Sequence, residues 1–436
     1  MTKPKFLPNH EDSNGWWEIL PDAAPARVLS GEKSAGTVVI GAGVCGLAAT
    51  RRLAELRPDE EILLIEAGRA GHGVSGRNAG FMLNMHSHGA PKKLDVLRRN
   101  HRFWTDGVDS LRKLVKENQI QCDWSEWGRF YGAAGPDGEK NMVSLAETLE
   151  ALGQPYEHRT GEQMAQALGT KFYHRGLHVS GNGLVNPAAL IRGLAKTLPS
   201  NVVLFEDTPV TNLSKQNKGF HLETPEGSVT ADRVVLTTGV FLQHMGVARN
   251  RYAAMSTYAS LSEPLSDEQL EIFDVGGEFG LLATSENGAT VRLTRDKRLF
   301  FRNHFTHDPS GVLSKERVGS TLTMHREGIR RRWPMLADVE IRHTWGGTMA
   351  FTTNDGTVFG EIEPNLFAAL THDISPMTRG TSMGQLLADL MEDRDSPLLR
   401  DALDVPHAAW LPPRPFLDVG VAWELHKIRR NGASEF

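Results

Sequence analysis

The stretch TVVIGAGVCG at residues 37–46 constrains this chain more than any other. A β-branched run that ends in glycine reads as a buried strand. Gly41, Gly43 and Gly46 then fall at the spacing G-x-G-x-x-G. The following VCGLAATRRLAELR places Leu47, Leu53, Ala54 and Leu56 at helical spacing and stops before Pro58. EILLIEAG reads as a second buried strand ending at Glu66. Together they make a βαβ unit of about 30 residues, the size a parallel crossover needs. Each part has a task if a dinucleotide lies across the unit. Gly41 permits the tight turn, Gly43 lets the backbone approach a pyrophosphate, and Gly46 lets the helix pack closely on the strand. The helix N-terminus offers free N–H groups and a positive dipole end to the phosphates. Glu66, about 25 residues beyond Gly41, stands where ribose hydroxyls are held, and it disfavours a 2′-phosphate, so NAD or FAD suits better than NADP. Ala67 beside it joins the cofactor-binding candidates. Cys45, also among them, reads as a small packing residue rather than a redox thiol. The alternative is a structural βα turn with no ligand.

Directly after Glu66 comes EAGRAGHGVSGRNAGF, whose segment 71–81 holds four glycines and only two large apolar residues. It is a poor helix and a poor strand. Its glycines allow close backbone approach to a ligand, and Arg77 can offset phosphate charge; the alternative is a flexible surface loop. Here the sequence resembles the D-amino-acid oxidase family of FAD-dependent oxidoreductases, most of all its gamma-glutamylputrescine oxidase-like branch. The resemblance implies that Ser75, Gly76, Arg77, Asn78 and Ala79 contact the pyrophosphate or lie along the isoalloxazine. DTPVTNL, with Val210, resembles the segment whose backbone meets the adenine. ADRVVLTTGVF, with Thr237, Thr238 and Gly239, resembles the strand that ends near the cofactor. QCDWSEWGRFYGA, GLVNPAALIRGLA, VRLTRDKRLFF and TWGGTMAFTTNDGTVFGEIEPNLFAAL resemble further family segments, the third being a hairpin of the substrate domain.

One segment departs from the family. Where a glycine-rich loop of the type GYSGHGV is expected, this chain reads THDISPMTRGTSMG. Pro376 has no N–H to offer and Ile374 does not readily take a positive φ. Thr371, Asp373, Ser375 and Met377 also replace small residues. The helix is expected from about Thr381, and Met377, Thr378, Arg379, Gly380 and Thr381 are carried as cofactor-binding candidates. The expectation is that flavin binds in an altered ring environment. Asp373 near the flavin would disfavour the anionic reduced form and weaken reaction with oxygen.

The fold class expected is α/β, a Rossmann-like FAD-binding domain with an interleaved substrate domain built on an antiparallel β-sheet. Residues 1–35 read as an N-terminal arm, with Trp16 and Trp17 pinning it or simply packing. Residues 36–90, 180–245 and 345–436 are assigned to the FAD-binding domain, and 91–179 and 246–344 to the substrate domain. Residues 93–118 carry a long amphipathic helix, and a helix over about 315–332 ends before Pro334. The function implied is oxidation of the C–N bond of an amine or amino acid to an imine, by hydride transfer to flavin N5. O2 is the expected acceptor, giving H2O2. The alternatives are a dehydrogenase using a quinone or carrier, an FAD-binding scaffold with little turnover, and an NAD-linked dehydrogenase. Non-covalent FAD is expected, because neither cysteine lies near the late loop and His72 reads as a loop residue. No catalytic acid or base is assigned. A substrate carboxylate would need a cationic anchor, for which Arg292 and Arg302 on the hairpin strands are candidates; a solvated face is the alternative for each. Trp345, His304 and His307 are candidates to line a pocket or are ordinary surface and core residues.

Charge and composition exclude other classes. A net charge of −5 gives no basic field, so no nucleic-acid partner is expected. Cys45 and Cys122 are the two cysteines, and neither sits in a CxxC pair, which suits a reducing compartment. No signal-peptide pattern and no run near the roughly 18 apolar residues of a membrane span is present, so a cytoplasmic protein with no transmembrane segment is expected. His86–His88 lacks metal-ligand spacing, and no metal is expected. REGIRRRWP is explained by a helix end near its negative pole.

Overall fold

The computed structural model describes residues 4–8, 13–85, 93–181, 183–371 and 376–436. Two eight-stranded sheets divide the chain between them. The first has a parallel centre in which Leu366–Leu370, Gly227–Leu236, Gly31–Ile40, Ile62–Ile65 and Val202–Phe205 lie side by side. Thr37 to Ile40 and all of Ile62–Ile65 are buried, as unbroken apolar runs in a sheet covered on both faces must be. Val358–Glu363 adds an antiparallel edge. The second sheet runs in the order Ile341–Phe351, Ala253–Pro264, Arg298–His307, Thr290–Leu293, Phe279–Ala283, Arg129–Ala133, Arg175–Val179 and Glu157–Thr160. It is antiparallel throughout, except where Phe279–Ala283 runs parallel to Arg129–Ala133.

Three helices pack together beside the first sheet. Val44–Leu56 is the helix of the glycine motif, Leu94–Glu117 the long amphipathic helix, and Pro376–Met391 the late helix. They meet at small residues. A Cβ on Gly384 would lie 2.2 Å from the Cys45 carbonyl, and one on Gly107 would lie 1.9 Å from that of Thr378. Thr378 Oγ1 donates to the Leu83 carbonyl and Ser382 Oγ to that of Phe103. The late helix is thereby held in direction as well as place.

The structure moves several expected boundaries. Residues 31–35, expected in the arm, open the strand Gly31–Ile40. Residues 345–351, expected with the cofactor domain, belong to the second sheet as part of Ile341–Phe351. Leu94–Glu117, expected with the substrate domain, packs on the late helix. The helix expected over about 315–332 is two, Lys315–Ser320 and Leu322–Arg332. The late helix starts at Pro376, not near Thr381. Proline suits the first turn of a helix, where its missing N–H has no intrahelical partner to lose. The arm is pinned: Trp16 is buried, its Nε1 donates to the Asn78 carbonyl, and Asn14 Nδ2 donates to that of Gly76.

Candidate active site

Two cavities abut, sharing Val74, Met349 and Pro376 in their walls. The larger, of about 420 Å³, is within the range of small-molecule sites. The glycine motif forms one side of it. Gly41 takes φ +105°, and a Cβ there would lie 2.8 Å from the Thr237 carbonyl; a Cβ on Gly46 would lie 1.8 Å from the Gly41 carbonyl. Only glycine fits either place. Glu66 enters the same cavity with its carboxylate held by backbone: Oε2 accepts from Ala42 N at 2.7 Å and Oε1 from Gly68 N at 3.0 Å. Burial pushes its carboxyl above the usual range and the charge of Glu206 adds to that, while the backbone N–H groups of Gly68, Ala42 and Ala67 pull it down. Ser75 Oγ accepts from Val44 N at 3.0 Å, so a hydroxyl stands at the N-terminus of the motif helix. Thr238 Oγ1 is buried without a hydrogen-bond partner among the described residues.

Of the cofactor-binding candidates, Gly41, Gly43, Cys45, Glu66, Ala67, Ser75, Val210, Thr238, Gly239 and Gly380 line this cavity. Gly46 acts behind it. Gly76, Arg77, Asn78 and Ala79 are not in its walls; Arg77, Asn78 and Ala79 line the smaller cavity beside it. The polar members of that loop are taken up by backbone. Arg77 Nε donates to the His72 carbonyl at 2.7 Å and Nη1 to that of Gly346 at 3.1 Å. Asn78 Nδ2 donates to the Ser75 carbonyl and its Oδ1 accepts from Gly80 N. On the late helix, Met377, Thr378, Arg379 and Thr381 are buried away from the cavity, with Thr378 and Thr381 bonded to main-chain carbonyls. Cys45 is enclosed, and burial pushes its thiol up to about 12, so it carries no thiolate at neutral pH. His72 lines the cavity, its ring edge-on to Trp17 at 5.6 Å. Asp373, Ile374 and Ser375, on which the expectation of an altered ring environment rested, lie outside the described residues, as do His86–His88. Pro376 stands where the two cavities meet, so the positive end of the late helix faces that junction.

The smaller cavity, of about 60 Å³, is built by strand register. Trp345, Ala259, Arg302, Thr290 and Leu282 stand directly opposite one another on five neighbouring strands. Residues directly opposite share a face, and all five line the cavity floor. The loop after the glycine motif forms its roof with Val74, Arg77, Phe81 and Leu83. No aspartate, glutamate, histidine or lysine is among the described lining residues; Arg77 and Arg302 are its charged side chains. Arg302 is half-buried and lines the cavity, and it makes no side-chain hydrogen bond or ion pair among the described residues. Burial alone lowers its pKa, to about 10, so it remains a cation at neutral pH.

Arg292, the other anchor candidate, does not reach either cavity. It is buried, and its Nη1 donates to the carbonyls of Ala79 and Val185, both at 2.8 Å. Its guanidinium lies over Trp16 at 5.1 Å and Phe81 at 5.8 Å. It is a clamp on the glycine-rich loop, not a solvated face. Trp345 lines the small cavity, and its Nε1 donates to the Arg77 carbonyl. His304 and His307 line neither cavity. His307 faces Asp418 at 3.4 Å, and burial drives the His304 pKa down to about 4, with the charges of Arg429 and Arg317 adding to that. Pro4, Phe6, Leu7 and Pro8 of the arm line the large cavity, which no motif announced; Phe6 packs edge-on to His244 at 5.1 Å. Tyr258 and Thr290 in the small cavity also carry no local signal, because only cross-strand register brings them there.

The chain is similar to known proteins in sequence and in fold. The model of the FAD dependent oxidoreductase family matches residues 37–390. A probable oxidoreductase OrdL of Haemophilus influenzae is 24% identical over 393 residues, covering 85% of this chain and 86% of the relative. The gamma-glutamylputrescine oxidoreductase of Escherichia coli is 23% identical over 423 residues, covering 92% and 94%. The crystal structure of glycine oxidase from Geobacillus kaustophilus superposes with a TM-score of 0.70 at 18% identity, covering 84% of this chain and 96% of the other, which shows a common fold.

Proposed function

This chain belongs to the FAD dependent oxidoreductase (DAO) family, and from that premise we propose that it oxidises the C–N bond of a small amine bearing a carboxylate, with O2 as the acceptor. It is an enzyme, and FAD is its cofactor. Three observations support FAD in the larger cavity: the motif helix directs its N-terminus there, Glu66 is fixed beside it as an acceptor, and Thr238 Oγ1 is a buried hydroxyl with no hydrogen-bond partner among the described residues. When bound, FAD supplies the acceptor for a hydride from the carbon next to nitrogen. Non-covalent attachment is the reading favoured by a Cys45 thiol that stays protonated and a His72 ring packed on Trp17.

The observation that carries the substrate proposal is the charge of the small cavity. Its described walls hold two guanidinium groups and no anion. Such a wall attracts a carboxylate and repels an ammonium. Arg302, which makes no side-chain hydrogen bond or ion pair among the described residues, is the group left to bind that carboxylate. Arg77 is committed to main-chain carbonyls and adds positive potential. Phe81, Leu83, Leu282 and Met349 exclude water and hold the apolar part of the substrate. The amine enters in its neutral form, because no described wall residue can take its proton. Loss of hydride leaves a carbon–nitrogen double bond; water then adds, releasing a carbonyl compound and an amine or ammonia. O2 takes up the two electrons and two protons and leaves as H2O2. The first sheet with its helices serves the cofactor, the second sheet the substrate, and the protein works in the cytoplasm; no described helix is long and apolar enough to cross a membrane.

Anaerobic mixing of the FAD-loaded protein with a panel of amines and amino acids tests this reading. Loss of the flavin's yellow absorbance with carboxylate-bearing amines, and oxygen uptake on admitting air, is expected. Bleaching by amines without a carboxylate, at equal efficiency, overturns the substrate proposal. Bleaching that oxygen does not reverse moves the acceptor to a quinone or carrier.

A further inference from the structure

The strand that carries Arg302 is not regular. Along its edge with Ala253–Pro264, Tyr258 stands opposite Asn303 and Thr257 opposite Phe305, so His304 has no partner. His304 takes φ +69°. One extra residue in the left-handed region is a β-bulge, at a place where glycine is usual and a branched side chain is strained. Asn303 Oδ1 accepts from His304 N at 2.5 Å, which holds the bulge from within. The His304 ring lies against Tyr258, whose hydroxyl is bonded to Thr306 Oγ1 at 2.7 Å, which holds it from the neighbouring strand.

The consequence reaches Arg302. In an unbroken strand, residues three apart point to opposite faces. Here the guanidinium of Arg302 lies over the ring of Phe305, 5.2 Å from its centroid. The inserted residue changes the parity between the two. A ring beneath a guanidinium attracts the cation and occupies its face, leaving its N–H edge toward the cavity. His304 stays neutral at neutral pH, so it adds no competing charge of its own.

We propose that His304 is a positioning residue: its left-handed backbone inserts one residue into the strand, turns Phe305 under Arg302, and so aims the guanidinium that receives the substrate carboxylate. This rests on the reading of Arg302 given above. The test uses the FAD-loaded protein and acetate as the probe, with binding followed by perturbation of flavin absorbance and FAD affinity measured in parallel. His304→Val, whose β-branched side chain resists a positive φ, weakens acetate binding roughly tenfold, while His304→Gly and His304→Asn, which keep that conformation, stay near wild type. Phe305→Leu, which keeps the bulge and removes the ring, weakens acetate binding about threefold. FAD affinity is unchanged in all four. Arg302→Met separates the two ideas. If it loses acetate while His304→Val and Phe305→Leu bind acetate as wild type does, the positioning role is wrong and the carboxylate reading stands. If Arg302→Met itself binds acetate normally, the carboxylate reading fails and takes this proposal with it. Should His304→Val not fold, Phe305→Leu still decides, because wild-type binding there removes the need for the bulge.

Discussion

The two cavities meet at Pro376, yet they are constructed by opposite means. The larger is built around a backbone motif, with apolar side chains completing its walls. Its shape depends on places where no side chain fits, on N–H groups at a helix end, and on one carboxylate held by two amides. The floor of the smaller is made of side chains that no local motif brings together. Its floor is one residue from each of five strands, set in a row by register. A site made of backbone can be built from a short contiguous stretch, because every residue supplies the same N–H and C=O. A site made of side chains needs partners from many strands, and a one-residue slip in any of them would turn its contributor to the other face.

If that contrast is right, the largest effect comes from disturbing backbone. Gly46→Val forces a side chain into the Gly41 carbonyl, and the expected result is a colourless protein destabilised by at least about 2 kcal/mol, read by flavin absorbance and by urea unfolding. A yellow, stable Gly46→Val protein would remove the reason for the motif. Next come the two arginines, which local sequence does not tell apart. Arg302→Met is expected to raise KM for a carboxylate-bearing amine about 100-fold with FAD affinity unchanged. Arg292→Met instead strands the Ala79 and Val185 carbonyls, costing about 2 kcal/mol of stability with little change in KM. Steady-state kinetics and thermal melting on the pair either keep or erase the distinction.

A pH prediction follows from the back of the second sheet. His325 is buried between that sheet and the helix Leu322–Arg332, with Nδ1 at 2.7 Å from Ser260 Oγ, and burial holds its pKa down at about 4 against an ordinary 6.5. The folded state therefore binds fewer protons than the unfolded state between these values. Its stabilising contribution is complete above about 6.5 and is lost as pH falls toward 4, at no more than about 1.4 kcal/mol per pH unit. Urea unfolding at stepped pH, with His325→Gln as the control that flattens this part of the slope, checks it. The smallest effect is expected at the arm. Phe6→Ala removes an aromatic contact with His244 at the wall of the large cavity, and FAD dissociation, followed by flavin fluorescence, should quicken about threefold.

Much of the cofactor half is legible in the sequence. The strand, turn, helix, strand and Glu66 of the first unit fall where periodicity and glycine spacing place them. The loop after them is legible as special, but the roles within it are not. Ser75 reaches the large cavity, while Arg77 and Asn78 bond to the main chain and line the small one, a choice that composition cannot display. Pro376 looks like a defect if its segment is a loop, where a missing N–H is a loss. As the first residue of a helix it loses nothing.

What the sequence determined by itself was the βαβ unit and the cavity it opens, because strand, turn and helix signals there act over fewer than a dozen residues at a time and reinforce one another. What the tertiary structure alone decided was which arginine faces substrate space. Arg292 and Arg302 sit on paired strands of one hairpin with the same chemistry. Arg292 is claimed by two carbonyls from distant loops, and Arg302 is left without a side-chain hydrogen bond or ion pair among the described residues, beside a bulge in its strand. Burial, register and the competition of backbone acceptors for a guanidinium are properties of the assembled sheet, and no stretch of the chain holds them on its own.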